Sequence, residues 1–300
     1  MRFVHPGTMV QQAAEGGYAV PALNTNGASY DLTRAALEAA QEMQSPLILQ
    51  VYEPNCSYRG FDYFVQLARF LCDELQVTVP VALQLDHGHS YASVLQAMRA
   101  GFTSVMFDAS HEPVEENIRL SADVRQVATA LGVALEAEVG YVKGNEPPKE
   151  EQIGRVPVPE KPTIPPSKTT PGEVRRFLER VAVDMLAVSV GTTHGVYQSQ
   201  SEIDFNLLAQ LSAASSVPLV QHGTSGISLE DLSRLARGGM SKINFGEPFR
   251  YDYIRYFTEL TDSLEHLWHP WRVQKEIKNR IKENMKTLID ALGASGRGTS

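Results

Sequence analysis

Eight short apolar runs punctuate the chain: Ala19–Leu23, Leu47–Val51, Val79–Leu85, Ser104–Phe107, Val133–Val139, Met185–Val190, Val217–Gln221 and Lys242–Phe245. Their length and their Val, Leu and Ala content predict strands buried on both faces. Between most of them lie stretches of helical period. Leu32, Ala35, Ala36, Ala39, Ala40 and Met43 recur at i, i+3, i+4, with Asp31 just ahead as N-cap. Near the end, Val273, Ile277, Ile281, Met285, Leu288 and Leu292 predict a helix from about Val273 to Leu292. Strand–helix alternation repeated eight times predicts an α/β chain folded as a single (β/α)8 TIM barrel over residues 1–300. A doubly wound sheet would favour Gly-x-Gly-x-x-Gly after its first strand, and none follows Leu23.

One segment breaks the rhythm. Lys143–Thr170 lacks periodicity and holds Pro147, Pro148, Pro157, Pro159, Pro162, Pro165 and Pro166. A domain linker is the alternative, but strands flank the segment and neither half would close alone. A long mobile active-site loop is the expectation.

Composition narrows the function classes. With 43% hydrophobic residues the chain can bury a full core. A formal charge of −8 argues against nucleic acid or an anionic membrane as partner. It leaves a small anionic substrate open, since local charge decides that. Cys56 and Cys72 show no metal-ligand spacing and read as buried thiols in a reducing cytoplasm. The start, Met1-Arg-Phe-Val-His-Pro-Gly, has no signal-like apolar stretch, and no run reaches membrane-spanning length. A cytoplasmic location is expected.

The candidate chemistry sits at strand ends. His87, His194 and His222 each close an apolar run and each precede glycine. They fall after the third, sixth and seventh strands, on the face where barrel enzymes place their sites. Three neutral imidazoles with an open fourth position form a catalytic zinc site. His87-Gly-His89 is also an HxH pair, but two strands precede it, and His89 is expected not to be a ligand. Asp86 sets a carboxylate beside His87; its bland role would be to cap the next helix. Asp108 ends the fourth strand. Glu136 and Glu138 share one face of the fifth, and buried carboxylates need a partner or a metal. They belong either to a site or to a buried ion-pair layer. Gly223-Thr-Ser-Gly226 and Asn244-Phe-Gly-Glu247 lie in the two loops that often bind phosphate.

In order along the chain, these motifs resemble the class II, zinc-dependent fructose-bisphosphate and tagatose-bisphosphate aldolases. Val20-Pro-Ala-Leu-Asn24 is similar to the family's first strand and Leu85-Asp-His87 to its acid and first zinc ligand. Val105-Met-Phe-Asp-Ala-Ser110 and Glu136-Ala-Glu-Val-Gly140 are similar to the next two strands, and Val190-Gly-Thr-Thr-His-Gly195 and His222-Gly-Thr-Ser-Gly226 to the other ligand motifs. The resemblance implies that His87, His194 and His222 hold Zn2+, with Asp108 and Glu138 at a second or displaced metal position. It implies Asp86 as acid/base for the hydroxyl at the new carbon–carbon bond, and Glu146 as base for the donor carbon. Asn24, Gly195, Gly223, Thr224, Ser225, Asn244, Phe245, Gly246 and Glu247 fall where the family lines its donor. A monovalent cation, Na+ or K+, is expected nearby, and a homodimer or homotetramer is the usual assembly.

The chemistry is consistent with these residues. A metal Lewis acid stabilises the carbanion beside a carbonyl, and carboxylates move the protons. The competing lysine Schiff base has one candidate, Lys242, which starts the eighth strand and so lies at the wrong end. Four departures from the family concern the donor pocket: Tyr52 for a serine, Lys143 for a glycine, Thr224 for a glycine and Glu247 for a threonine. The expected reaction is reversible cleavage of a ketose (bis)phosphate, a small sugar phosphate, to dihydroxyacetone phosphate and an aldehyde. That outcome has Lys143 paired with Glu247. The rival has Glu247 accept from an unphosphorylated donor. Further rivals are a zinc hydrolase and a non-catalytic metal-binding barrel.

Overall fold

The computed structural model describes residues 3–142, 167–195, 201–262 and 269–298. Eight strands form a closed barrel: β1 (Val20–Asn24), β2 (Leu47–Tyr52), β3 (Val81–Gly88), β4 (Ser104–Phe107), β5 (Ala134–Val139), β6 (Met185–Val188), β7 (Leu219–Gln221) and β8 (Met240–Phe245). Every neighbouring pair is parallel, and β8 closes on β1 with Ala22 opposite Asn244. The chain order is the spatial order, as a TIM barrel requires.

Helices surround the barrel, most of them after a strand. They are α1 (Gly7–Gly16), ahead of β1, α2 (Tyr30–Glu42), the short α3 (Glu53–Cys56), α4 (Phe61–Glu74), α5 (Tyr91–Ala100), α6 (Val114–Leu131), α7 (Pro171–Leu178), α8 (Phe205–Ala214), α9 (Leu229–Arg237), α10 (Glu247–Thr261) and α11 (Pro270–Ala291). Their apolar stripes pack on the barrel. In α2 the face of Leu32, Ala35, Ala36, Ala39 and Ala40 is buried; in α11 it is Val273, Ile277, Ile281, Met285 and Ile289, with Leu288 on the flank. α2 also packs against α11. No helix among the described residues is long and apolar enough to cross a membrane.

Three expectations are corrected in detail. Asp31 is not the N-cap of α2: the helix begins at Tyr30, Ser29 precedes it, and Asp31 accepts a 2.9 Å hydrogen bond from the Tyr253 hydroxyl of α10. β3 runs past Leu85 to Gly88, so Asp86 and His87 belong to the strand. β8 begins at Met240, so Lys242 is its third residue and points into the barrel.

Of the predicted 143–170 loop, residues 143–166 lie outside the described residues, and with them Lys143 and Glu146. The end of that segment is tied down. Lys168 bridges antiparallel to Val190, Thr169 donates to Val139 O at 2.7 Å, and Thr170 caps α7 through a capping box with Glu173. Cys56 and Cys72 are buried free thiols, both pushed up to about 12 by burial and then by a neighbouring carboxylate, Glu53 and Asp73 respectively. Neither is a nucleophile at neutral pH.

Candidate metal centre

Regular pleating would send Asp86 and His87 to opposite faces of β3. The structure avoids this with a break in register. The β3–β4 pairing shifts between Leu85 and Gly88, and His87 takes φ +52°. A bulge of this kind re-aims side chains at barrel rims. Both residues then reach the barrel mouth, with Asp86 Oδ1 3.8 Å from His87 Nε2. The glycine that follows is obligatory. A Cβ on Gly88 would lie 2.5 Å from Val94 Cγ1 and 2.9 Å from the Met106 carbonyl oxygen. Asp86 does not cap the next helix; Ser90 does, accepting from the Ser93 N–H.

Three histidines converge from three strand ends. Ring centroids lie 4.8 Å apart for His87 and His222, 5.1 Å for His87 and His194, and 5.7 Å for His194 and His222. One nitrogen from each lies within 4.8 Å of the others. Gly223 permits the approach of the last two: it sits at φ +67°, and a Cβ there would be 2.6 Å from the Thr193 carbonyl oxygen. His89 stands outside, exposed, with its N–H bonded to Glu53 at 2.9 Å.

Hydrogen bonds assign the tautomers. His87 Nδ1 donates to Asp108 Oδ2 at 2.7 Å, and His222 Nε2 donates to Glu136 Oε1 at 2.8 Å. In the metal-free protein the protonated His87 donates its Nε2–H to His222 Nδ1 at 3.0 Å, the proton a metal would displace. Carboxylates on the far nitrogen are the usual way to orient metal-binding histidines. His194 Nδ1 lies 3.5 Å from Glu247 Oε1, and its Nε2 is buried without a hydrogen-bond partner among the described residues.

The carboxylates divide into two sets. Glu136 is wholly buried below the histidines. It accepts from Lys242 Nζ at 2.8 Å and Gln84 Nε2 at 2.6 Å, while Lys242 also donates to Asn244 Oδ1 at 2.7 Å. Contacts between β3, β5 and β8 place this polar layer inside the barrel. Lys242 is thus engaged structurally, not presented as a free amine. Glu138, two residues on, faces the mouth. Its Oε1 accepts from Val142 N–H at 2.7 Å and Ser110 Oγ at 3.0 Å; its Oε2 is buried with no hydrogen bond, 3.6 Å from His222 Nδ1. Ser110 also donates to Asp108 Oδ1 at 2.6 Å, joining the two carboxylates. His87, Asp108 and Glu138 form a second group able to hold a cation.

Electrostatics follow from this packing. Burial alone would lower the His87 pKa, but the Asp108 hydrogen bond and the charges of Asp86, Asp108 and Glu138 raise it to about 10. Asp108 is held far below the carboxylate range: burial opposes this, and the hydrogen bond and charge of His87 prevail. Burial, then the Asp108 charge, lifts Glu138 to about 7. His222 is pushed down to about 4, by burial first and then by the charges of His87 and Lys242. Glu136 sits at about 2, where Lys242 and His222 overcome burial. Glu247 is also at about 2; burial opposes, and His194, its own backbone N–H and Arg250 prevail.

The donor set suits a divalent cation. Three imidazole rings converge, buried His194 Nε2 and Glu138 Oε2 have no hydrogen-bond partner among the described residues, and carboxylates back the rings.

Asp86 is held from both sides. Asn24 Nδ2 donates to its Oδ2 at 3.1 Å and Asn244 Nδ2 to its Oδ1 at 3.2 Å. Both asparagines were expected at the donor; their amides here orient the carboxylate. Of the other expected donor contacts, Thr224 Oγ1 donates to the Asn244 carbonyl at 2.7 Å, and buried Ser225 Oγ has no partner among the described residues. Gly195 (φ +114°) follows His194, buried Phe245 ends β8, and Gly246 leads into α10 beside Asn24. Tyr52 stands edge-on to His87 at 6.1 Å. Burial and then Asp86, Asp108, Glu53 and Glu247 raise its pKa. Sequence reasoning missed Ser110 and Gln84. Ser110 had a signal, since Asp-x-Ser favours the turn in which its N–H meets Asp108 Oδ1, here at 3.0 Å.

Comparison with known proteins agrees with the geometry. The fructose-bisphosphate aldolase class-II family model matches residues 4–297. A fructose-bisphosphate aldolase from Geobacillus stearothermophilus is 34% identical over 298 residues, covering 99% of both chains. One from Staphylococcus epidermidis is 33% identical over 290 residues, covering 96% of each. Among solved structures, the YdjI aldolase from Escherichia coli K12 superposes with a TM-score of 0.83 at 27% identity, covering 99% of this chain and 100% of that one. The Campylobacter jejuni fructose-bisphosphate aldolase shares the fold, with a TM-score of 0.76 at 20% identity over 98% of this chain and 96% of its own.

Proposed function

Because the chain belongs to the class II fructose-bisphosphate aldolase family, we propose that it is a zinc-dependent lyase that reversibly cleaves a ketose phosphate into an aldehyde and a three-carbon ketone donor. Two donors suit such a site, dihydroxyacetone phosphate and dihydroxyacetone. His87, His194 and His222 would hold the zinc, with Asp108 and Glu138 as an alternative cation position. Bound zinc supplies Lewis-acid polarisation of a carbonyl and its neighbouring hydroxyl.

The protein's own groups handle the protons. Asp86, fixed by Asn24 and Asn244, is placed to take the proton from the hydroxyl that becomes the aldehyde oxygen and to return it in the aldol direction. Glu146, outside the described residues, falls where the family has its loop glutamate, and by that resemblance it is given the donor-carbon proton. Ser110 and the Val142 N–H hold Glu138 in reach of His222.

The observation that carries this reading is the meeting of three strand-end histidines beside a carboxylate that caps nothing and is oriented by two amides. The test is a panel of ketose phosphates with zinc-loaded protein. Aldehyde release that a chelator abolishes and zinc restores is expected. Hydrolysis without carbon–carbon cleavage would contradict it.

A further inference from the structure

Barrel enzymes commonly hold an anionic substrate group with the loops after the seventh and eighth strands and a helix N-terminus beside them. In this chain that helix start already carries an anion. Glu247 is the first residue of α10, and its carboxylate turns back into the mouth, with Oε1 3.5 Å from His194 Nδ1. It is mostly buried, at 19% side-chain exposure, so solvent screens it little. The loop after β7 offers hydroxyl chemistry instead. Thr224 Oγ1 is bonded to the Asn244 carbonyl, and Ser225 Oγ is buried with no partner among the described residues. The interior cation Lys242 is engaged by Glu136 and Asn244. Arg250, one turn along α10, is exposed, and its charge acts on Glu247 itself.

A phosphate dianion at this helix start would meet a fixed carboxylate. A hydroxyl there would meet an acceptor. We infer that Glu247 is a specificity-determining residue and that the donor fragment ends, at the start of α10, in a neutral hydroxyl that donates to the Glu247 carboxylate. The donor class is an unphosphorylated hydroxyketone such as dihydroxyacetone. Any phosphate of the ketose then lies on the aldehyde fragment. The inference rests on the aldolase reading.

The test needs no aldehyde. Zinc-loaded protein is incubated in D2O with dihydroxyacetone or dihydroxyacetone phosphate, and loss of the donor's exchangeable C–H signal is followed by NMR. The wild type should exchange dihydroxyacetone at least ten-fold more efficiently than its phosphate. Glu247→Thr should reverse that ratio, and Glu247→Gln should at least narrow it ten-fold. Zinc content and melting temperature confirm that both variants are folded. Titration with inorganic phosphate gives an independent reading without turnover: Glu247→Thr should bind it at least ten-fold more tightly than the wild type. A wild type that prefers the phosphate, or ratios that both variants leave unchanged, would overturn the inference while leaving the aldolase reading intact. Exchange of neither donor by folded, zinc-loaded wild type would instead refute the aldolase reading, and the inference with it.

Discussion

Asp108 Oδ2 lies 2.7 Å from His87 Nδ1, on the ring nitrogen opposite the one that faces His222. The pair fixes both the tautomer and the direction of the first metal-binding ring. Asp108→Asn should therefore fold normally and lose zinc affinity by about 10–100-fold, the usual worth of such a partner. Competition with a chromophoric chelator measures this. Unchanged affinity would mean that packing alone orients His87.

Lys242 and Glu136 form the layer beneath the site, both wholly buried. Lys242→Met would leave the Glu136 charge without its main partner. Breaking one side of a buried pair costs about 3–5 kcal/mol. Denaturant unfolding should register a loss of that order. A loss below about 1 kcal/mol would show that Gln84 and His222 suffice for Glu136.

Both Asp86 oxygens accept from amide N–H groups, so Asp86→Asn keeps the shape and one of the two bonds while removing the charge and the basic oxygen. Asp86→Asn should keep zinc and slow cleavage by about 10² or more, the usual contribution of a general acid/base. Loss of zinc together with rate would make Asp86 a ligand or a structural residue.

How far the sequence carried this account differs by element. Ser104–Phe107 coincides with β4 because a short, fully buried run has sharp edges. The end of β3 did not, because the register break at Leu85–Gly88 and the positive φ of His87 depend on β4 and on Val94, which periodicity cannot see. The three histidines were legible from strand ends alone. The division between Glu136 and Glu138 was not: alternation places them on one face, and only the folded barrel gives them different partners. Glu136 meets Lys242 from across the barrel, and Glu138 meets Ser110 and the Val142 N–H. For Glu247 the sequence leaves two readings, a pair with Lys143, which lies outside the described residues, or an acceptor for the donor. Among the described residues its Oε1 lies 3.5 Å from His194 Nδ1, a contact between the start of α10 and the loop after β6 that periodicity cannot see.

Proton release on metal uptake follows from His87. In the metal-free protein its pKa is raised to about 10, so below that pH the ring carries a proton that a metal must displace. Zinc binding should release about one proton from this site near pH 8, and apparent affinity should rise with pH up to about 10. Calorimetry in two buffers of different ionisation enthalpy reads the proton count directly. No release at pH 8 would mean that His87 is already neutral.

Metal content of purified protein tests the central claim most directly. Three histidines from β3 and the loops after β6 and β7 should hold about one zinc per chain. His194→Ala and His222→Ala should each reduce zinc to near zero and abolish cleavage, while the barrel remains folded by circular dichroism. Normal zinc content in both variants would contradict the account.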